Sequence, residues 1–175
     1  LHAVYFLAPG GREIARSALV PLTRVGLPDR SGIAPVRVRT KALRIDLAPE
    51  GDGLMLKAEA GDLRGDFRIA RPAGHEALGV VVPWGPTRFQ YTVKENTLPA
   101  IGEVTVGGER YAFDDAYATL DHGRGKWPYA VTWNWGAGSG RVGDHVIGAA
   151  PFPIVPAVDP DGLRVLPGEL VLFHK

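Results

Sequence analysis

The segment richest in reactive side chains is Thr119-Leu120-Asp121-His122-Gly123-Arg124-Gly125-Lys126-Trp127-Pro128-Tyr129, followed by Thr132-Trp133-Asn134-Trp135-Gly136. Three of the four Trp of the chain fall within it, beside an Asp-His pair and an Arg. A carboxyl group in an apolar cavity can protonate an alkene or a carbonyl, and His122 or Arg124 could share the work or polarise an oxygen. Asp121, His122 and Arg124 are therefore the candidate catalytic residues. Neighbours on a strand point to opposite faces, so Asp121 and His122 meet in one cavity only if the chain turns after them. Gly123 and Gly125 would permit that turn. The alternative is a structural Asp121, paired with Arg124 or closing the Gly turn.

Trp133 and Trp135 are two apart, so on a strand they share a face, with Asn134 on the other. With Trp127 they would form either the aromatic wall of a ligand pocket or ordinary core. The run Tyr91-Thr92-Val93-Lys94-Glu95-Asn96 sets polar groups between apolar ones. From it Tyr91, Lys94 and Asn96 join the candidate ligand-binding residues, the alternative being a satisfied turn. Gly136-Ala137-Gly138-Ser139-Gly140 looks superficially like a dinucleotide loop. That motif needs a following helix, and 141–147 reads as a strand, so a Gly-rich hairpin turn is expected. Ser139 has no nucleophile-elbow context. The five His show no metal-ligand spacing, and no cofactor is implied. Arg37, Arg39, Lys41 and Arg44 read as a solvated outer face.

These residues need elements to hold them. The 23 Gly and 15 Pro are spread along the chain, and they would break almost any long helix. The short runs between them are rich in Val, Ile, Leu, Tyr and Phe, which is strand chemistry. Strands are expected at 2–8, 13–21, 35–48, 53–59, 64–71, 77–84, 87–94, 101–106, 109–113, 116–121, 129–136, 141–148 and 169–174. The alternation at 35–48 slips in the middle, as a β-bulge would make it do. Gly107-Gly108 marks a hairpin with a two-residue turn. The Pro-rich stretch 151–160 reads as a loop over the surface or a barrel rim. About a dozen short antiparallel strands must close into a barrel or pack as two sheets, and periodicity alone does not choose.

The chain has 175 residues, 45% hydrophobic and 22% charged, which is an ordinary globular composition; a single all-β domain over 1–175 is expected. A net charge of +1 gives no electrostatic case for nucleic acid or an anionic membrane. No apolar run is long enough for a spanning helix, and Leu1 to Pro9 lacks the basic flank and cleavage site of a signal peptide. The absence of Cys removes disulfides and thiolate chemistry and is compatible with the cytoplasm, the compartment expected here. The chain starts at Leu1 in one strand-like run and stops after another, so a piece of a longer protein is expected.

Lys94-Glu-Asn-Thr-Leu-Pro-Ala100, Gly102-Glu-Val-Thr-Val-Gly-Gly108, Tyr111-Ala-Phe113, Leu120-Asp-His-Gly-Arg-Gly-Lys-Trp-Pro128 and Thr132-Trp-Asn-Trp135, with Leu19-Val-Pro-Leu-Thr-Arg-Val-Gly-Leu-Pro28 before them, resemble a bacterial family catalogued as a domain of unknown function. The resemblance covers about residues 1–148 and is densest at 90–140. The Asp-His-x-x-Gly segment followed by Trp-x-Trp is also similar to a wider lipocalin-like group with hydroxyneurosporene synthase, tocopherol cyclases and fungal Diels–Alderases. That similarity implies a calycin-type antiparallel barrel, or half of a tandem two-barrel protein, around an apolar ligand cavity. It also implies a proton source at Asp121 and His122. The chain departs from the hydratases at Gly123-Arg124, where they carry a larger residue and Trp.

Three functions are consistent with these residues. The first is a binder of a hydrophobic small molecule such as a lipid, isoprenoid or polyketide. The second is a cofactor-free hydratase, cyclase or isomerase. The third is a non-catalytic structural module, paired with a second copy or with a partner domain.

Overall fold

Alternating side chains and closely spaced turns build strands throughout the described residues. The computed structural model describes residues 2–28, 33–129, 138–143, 145–149, 157–159, 162–164 and 172–174. Its strands are β1 (His2–Leu7), β2 (Glu13–Ala18), β3 (Val25–Gly26), β4 (Val36–Arg39), β5 (Arg44–Glu50), β6 (Gly53–Ala60), β7 (Leu63–Ile69) and β8 (Leu78–Pro83), followed by the long β9 (Phe89–Val106) and β10 (Glu109–Lys126). After them come β11 (Gly138–Val142), β12 (His145–Ala149), β13 (Ala157–Asp159), β14 (Gly162–Arg164) and β15 (Leu172–His174). One 3₁₀ turn, Leu22–Arg24, is the only helical element among the described residues, and no helix among them is long and apolar enough to cross a membrane. The fold is all-β, and the strands pair antiparallel.

The chain divides into two compact units, Leu1–Ala73 with Pro99–Ala116, and Gly74–Leu98 with Tyr117–Lys175. Strands β9 and β10 contribute to both. In the first unit, β3, β4, β5, β6, β7 and the second half of β9 pair in succession, and β1 pairs with β2. In the second unit, β8 pairs with Phe89–Lys94 of β9, and β12 lies between β11 and β15. Among the described residues no pairing joins β3 to β10, the two ends of the strand order. The antiparallel all-β class is therefore seen, and a closed barrel is not.

Three expectations change at the level of strands. The slip at 35–48 is a hairpin rather than a bulge: Arg39 pairs with Arg44, the Thr40 amide donates to the Leu43 carbonyl at 2.9 Å, and the Thr40 hydroxyl both donates to that carbonyl and accepts from the Leu43 amide. A side chain that satisfies the turn from within lets the chain reverse without Gly. The expected break between 94 and 101 is absent. β8 covers one edge of β9 up to Lys94 and β7 takes over at Ala100. Pro99 falls in the gap between the two ladders, where its missing N–H removes no ladder bond. The glycines at 138 and 140 belong to β11, and the reversal to β12 comes after Val142, which pairs with His145. The expected strand at 129–136 falls largely outside the described residues.

The Gly107-Gly108 hairpin is as expected, with φ of 58° and 87°, the doubly positive pattern of a primed turn. Its consequence is register. Counting back from a two-residue turn places Asn96 opposite Thr119 and Lys94 opposite Asp121, and both pairs touch.

In the first unit Ile14, Leu63, Val104 and Val106 are buried together, with Phe6, Phe67, Tyr111 and Phe113 packed on them. Phe6 meets Tyr111 edge-on at 5.2 Å and Phe67 tilts against Phe113 at 5.6 Å. The basic row is the outer face of β4 and β5, where Arg37 and Arg39 both pair with Asp46, and Arg44 pairs with Glu59. We expect Leu43→Ala, at a site 1% exposed, to lose about 2–5 kcal/mol in urea unfolding, and Arg37→Ala to lose no more than about 1 kcal/mol.

Candidate functional site

In β9 the even-numbered side chains are the buried ones from Gln90 to Asn96, after which Thr97 and Leu98 are both buried. The first four are Gln90, Thr92, Lys94 and Asn96, all polar and all at most 5% exposed. A strand that only packs a core carries apolar residues there. This polar row is the centre of the site in the second unit.

Lys94 is the most demanding member. Its ammonium lies 2.8 Å from Asp121 Oδ2, with the lysine side chain 2% exposed and the aspartate 32% exposed. The pair thus has a buried cation and a carboxylate that reaches solvent. Beside it, the Thr119 hydroxyl donates a short hydrogen bond to Asn96 Oδ1, and the Ser139 hydroxyl approaches the same oxygen at 3.4 Å. The Asn96 carbonyl accepts from His75 Nε2 at 2.9 Å. A carbonyl only accepts, so the His75 proton is on Nε2. Gln90 donates to the Thr92 hydroxyl at 2.6 Å. Thr97, next in the strand, is the single non-Gly residue with positive φ, 58°, among the described residues, an uncommon backbone state for a β-branched side chain.

Trp127 lies at one end of this row. A Cβ placed on Gly123 would stand 3.5 Å from Trp127 Cζ2 and 3.6 Å from the Thr92 hydroxyl. Glycine therefore leaves room for about one methyl group between an indole edge and a hydroxyl. Arg88 holds the Trp127 carbonyl at 2.7 Å, and Trp84 meets the Trp127 ring edge-on at 5.9 Å.

The structure thus brings together four of the residues named from sequence: Lys94, Asn96, Asp121 and Trp127. It separates the others. β10 runs straight through Asp121, His122 and Gly123 to Lys126 without a turn, so His122 and Arg124 alternate away from Asp121. Tyr91 alternates away from Lys94 in the same manner. Trp133 and Trp135 lie outside the described residues. Thr119, Gln90, Thr92 and His75 were not among the residues named from sequence, and Ser139 was read only as part of a Gly-rich turn. The period-2 polar spacing 90, 92, 94, 96 was the available signal for Gln90 and Thr92, while Ser139 and His75 are joined only by the fold. No group of three His, Asp or Glu that could hold a metal exists among the described residues.

His122 has its own environment. Burial, and then the neighbouring Arg124, push its pKa below the ordinary 6.5, while Asp121 works in the opposite direction. Its Nε2 is buried and has no hydrogen-bond partner among the described residues. A His with a depressed folded pKa binds its proton more readily when unfolded. Stability is therefore full above the unfolded value and declines as pH falls through the window below it. We expect the urea midpoint to drop as pH falls below the ordinary histidine range, and His122→Gln to flatten the part of that slope due to this group.

A family model described as a domain of unknown function (DUF2804) matches residues 1–150. No curated protein matches the chain, and no solved structure matches it.

Proposed function

We propose that this chain, which belongs to the DUF2804 family of domains of unknown function, binds a small, largely apolar molecule carrying an oxygen function, with the oxygen met by the polar row of the second unit. The observation that carries the reading is the inward face of β9, where Gln90, Thr92, Lys94 and Asn96 occupy positions suited to Val or Leu. Burying those groups costs free energy that apolar side chains would not. A ligand offering hydroxyl or carbonyl oxygen would use the same donors. Trp127, at the end of the row, would supply apolar contact for the rest of the molecule, and at Gly123 no side chain stands between its ring and the Thr92 hydroxyl.

A lipocalin-like enclosure fits this reading. It would require strands that cover the open ends of the sheet, whether from this chain or from a longer protein. Turnover is the second reading, and the exposure of Asp121 favours it. Asp121 is the charged member of the pair that reaches solvent, so it is the group able to exchange a proton with bound substrate in a cofactor-free hydratase, cyclase or isomerase. His122 and Arg124 point away from it, so the reading rests on Asp121 with Lys94 as its positioning partner.

Native mass spectrometry of the chain purified from its own cells tests the proposal. One small molecule per chain is expected, and Gly123→Val, which fills the space between Trp127 and Thr92, is expected to lose it. Asp121→Asn should retain the molecule if the protein only binds, and should accumulate it unchanged if the protein converts it. A bare, self-associating chain would favour the structural-module reading instead.

A further inference from the structure

The first unit contains a hollow that none of the residues discussed as a site explains. Along β6 the side chains facing the core are buried at Leu54 and Ala60 but half-open at Leu56 and Ala58 between them. On β7 the same holds: Leu63 and Ile69 are buried, Gly65 and Phe67 are not. Register makes these gaps coincide, because Ala58 pairs with Gly65 and Leu56 with Phe67. Two small residues of the inward face, Ala58 and Gly65, are thus cross-strand neighbours. The sheet is closed at both ends of these strands and dished in the middle.

That dish is a cleft of about 310 Å³ whose walls also include Phe6 from β1, Val104 from β9 and Phe113 from β10. No charged side chain lines it. Glycine within a strand lowers stability and often marks a place where another molecule approaches the backbone. A Cβ on Gly65 would make only ordinary contact, 3.5 Å from the Phe67 ring. Packing of the protein itself therefore does not demand glycine there. The empty volume does.

We propose that this cleft is a binding site, separate from the polar row, for an uncharged apolar molecule of about two fused or linked rings. The size follows from volume: the cleft holds on the order of twice the space of a 150 Å³ cavity that encloses benzene. The class follows from the lining, because a charged ligand would lose its hydration against Val, Leu and Phe with no partner to replace it. Phe67 and Phe113, whose rings lie 5.6 Å apart and tilted, offer edges and faces to a flat guest.

The test is a fluorescence titration of the full chain with 6-propionyl-2-(dimethylamino)naphthalene, an uncharged dye of two fused rings, alongside sedimentation velocity. Saturable binding of one dye per chain is expected. Gly65→Val and Ala58→Leu each fill the cleft from a different strand and are expected to weaken binding tenfold or more, with the circular dichroism spectrum kept; Arg37→Ala, on the outer face, is expected to bind as the wild type does. Dye that fails to bind, or binds equally to whichever filled variants fold, overturns the proposal. A wild-type dimer that Gly65→Val disperses also overturns it, because the cleft would then be covered by a second copy of this chain.

Discussion

An ammonium group taken out of water loses several kcal/mol of hydration, and only a well-placed partner returns it. Lys94 makes that demand of the second unit. Its carboxylate partner comes from β10, and only a β9–β10 register held from the Gly107-Gly108 turn brings Asp121 opposite. Slipping the register by one residue would turn Asp121 to the other face and leave the ammonium without its carboxylate. The hairpin turn, the continuity of two long strands and the composition of the site are thus one constraint. The Asn96–Thr119 contact repeats it two residues along.

The same constraint explains why β9 changes character along its length. Its inward residues are polar from Gln90 to Asn96 and apolar at Leu98, Ala100, Val104 and Val106. The apolar half packs the first unit as core. The polar half cannot contribute in that way; Gln90 is bonded to Thr92 within it, and Lys94 and Asn96 meet Asp121 and Thr119 of β10. Fully connected buried polar networks are tolerated, but apolar residues of similar shape are often as stable or more so. Such a network in a chain otherwise packed by Leu, Val and Phe is the observation on which the proposed ligand rests.

Some of this was legible in the residues and some was not. The Gly-Gly turn was legible because positive φ at two successive positions leaves few alternatives to Gly. The all-β class was legible because Gly and Pro interrupt every helical run. The continuity of β9 was not, since apolar alternation is the usual sign of a strand and its first half inverts it, while Pro99 looks like a terminator until the two ladders on that edge are known. Lys94, Asn96 and Asp121 were named separately, but their meeting depends on a register counted from a turn residues away. His122 was coupled to Asp121 by adjacency in sequence, and extended backbone sends the two to opposite faces.

The account stands on the claim that Lys94 and Asp121 are kept for a bound molecule and not for the fold. The most direct measurement is urea unfolding of the double variant Lys94→Met/Asp121→Leu beside the wild type, both freed of any bound molecule. Replacement of the pair by apolar side chains is predicted to leave the unfolding free energy equal or higher. A loss of about 3 kcal/mol or more, the scale of breaking a buried pair that the structure needs, would contradict it.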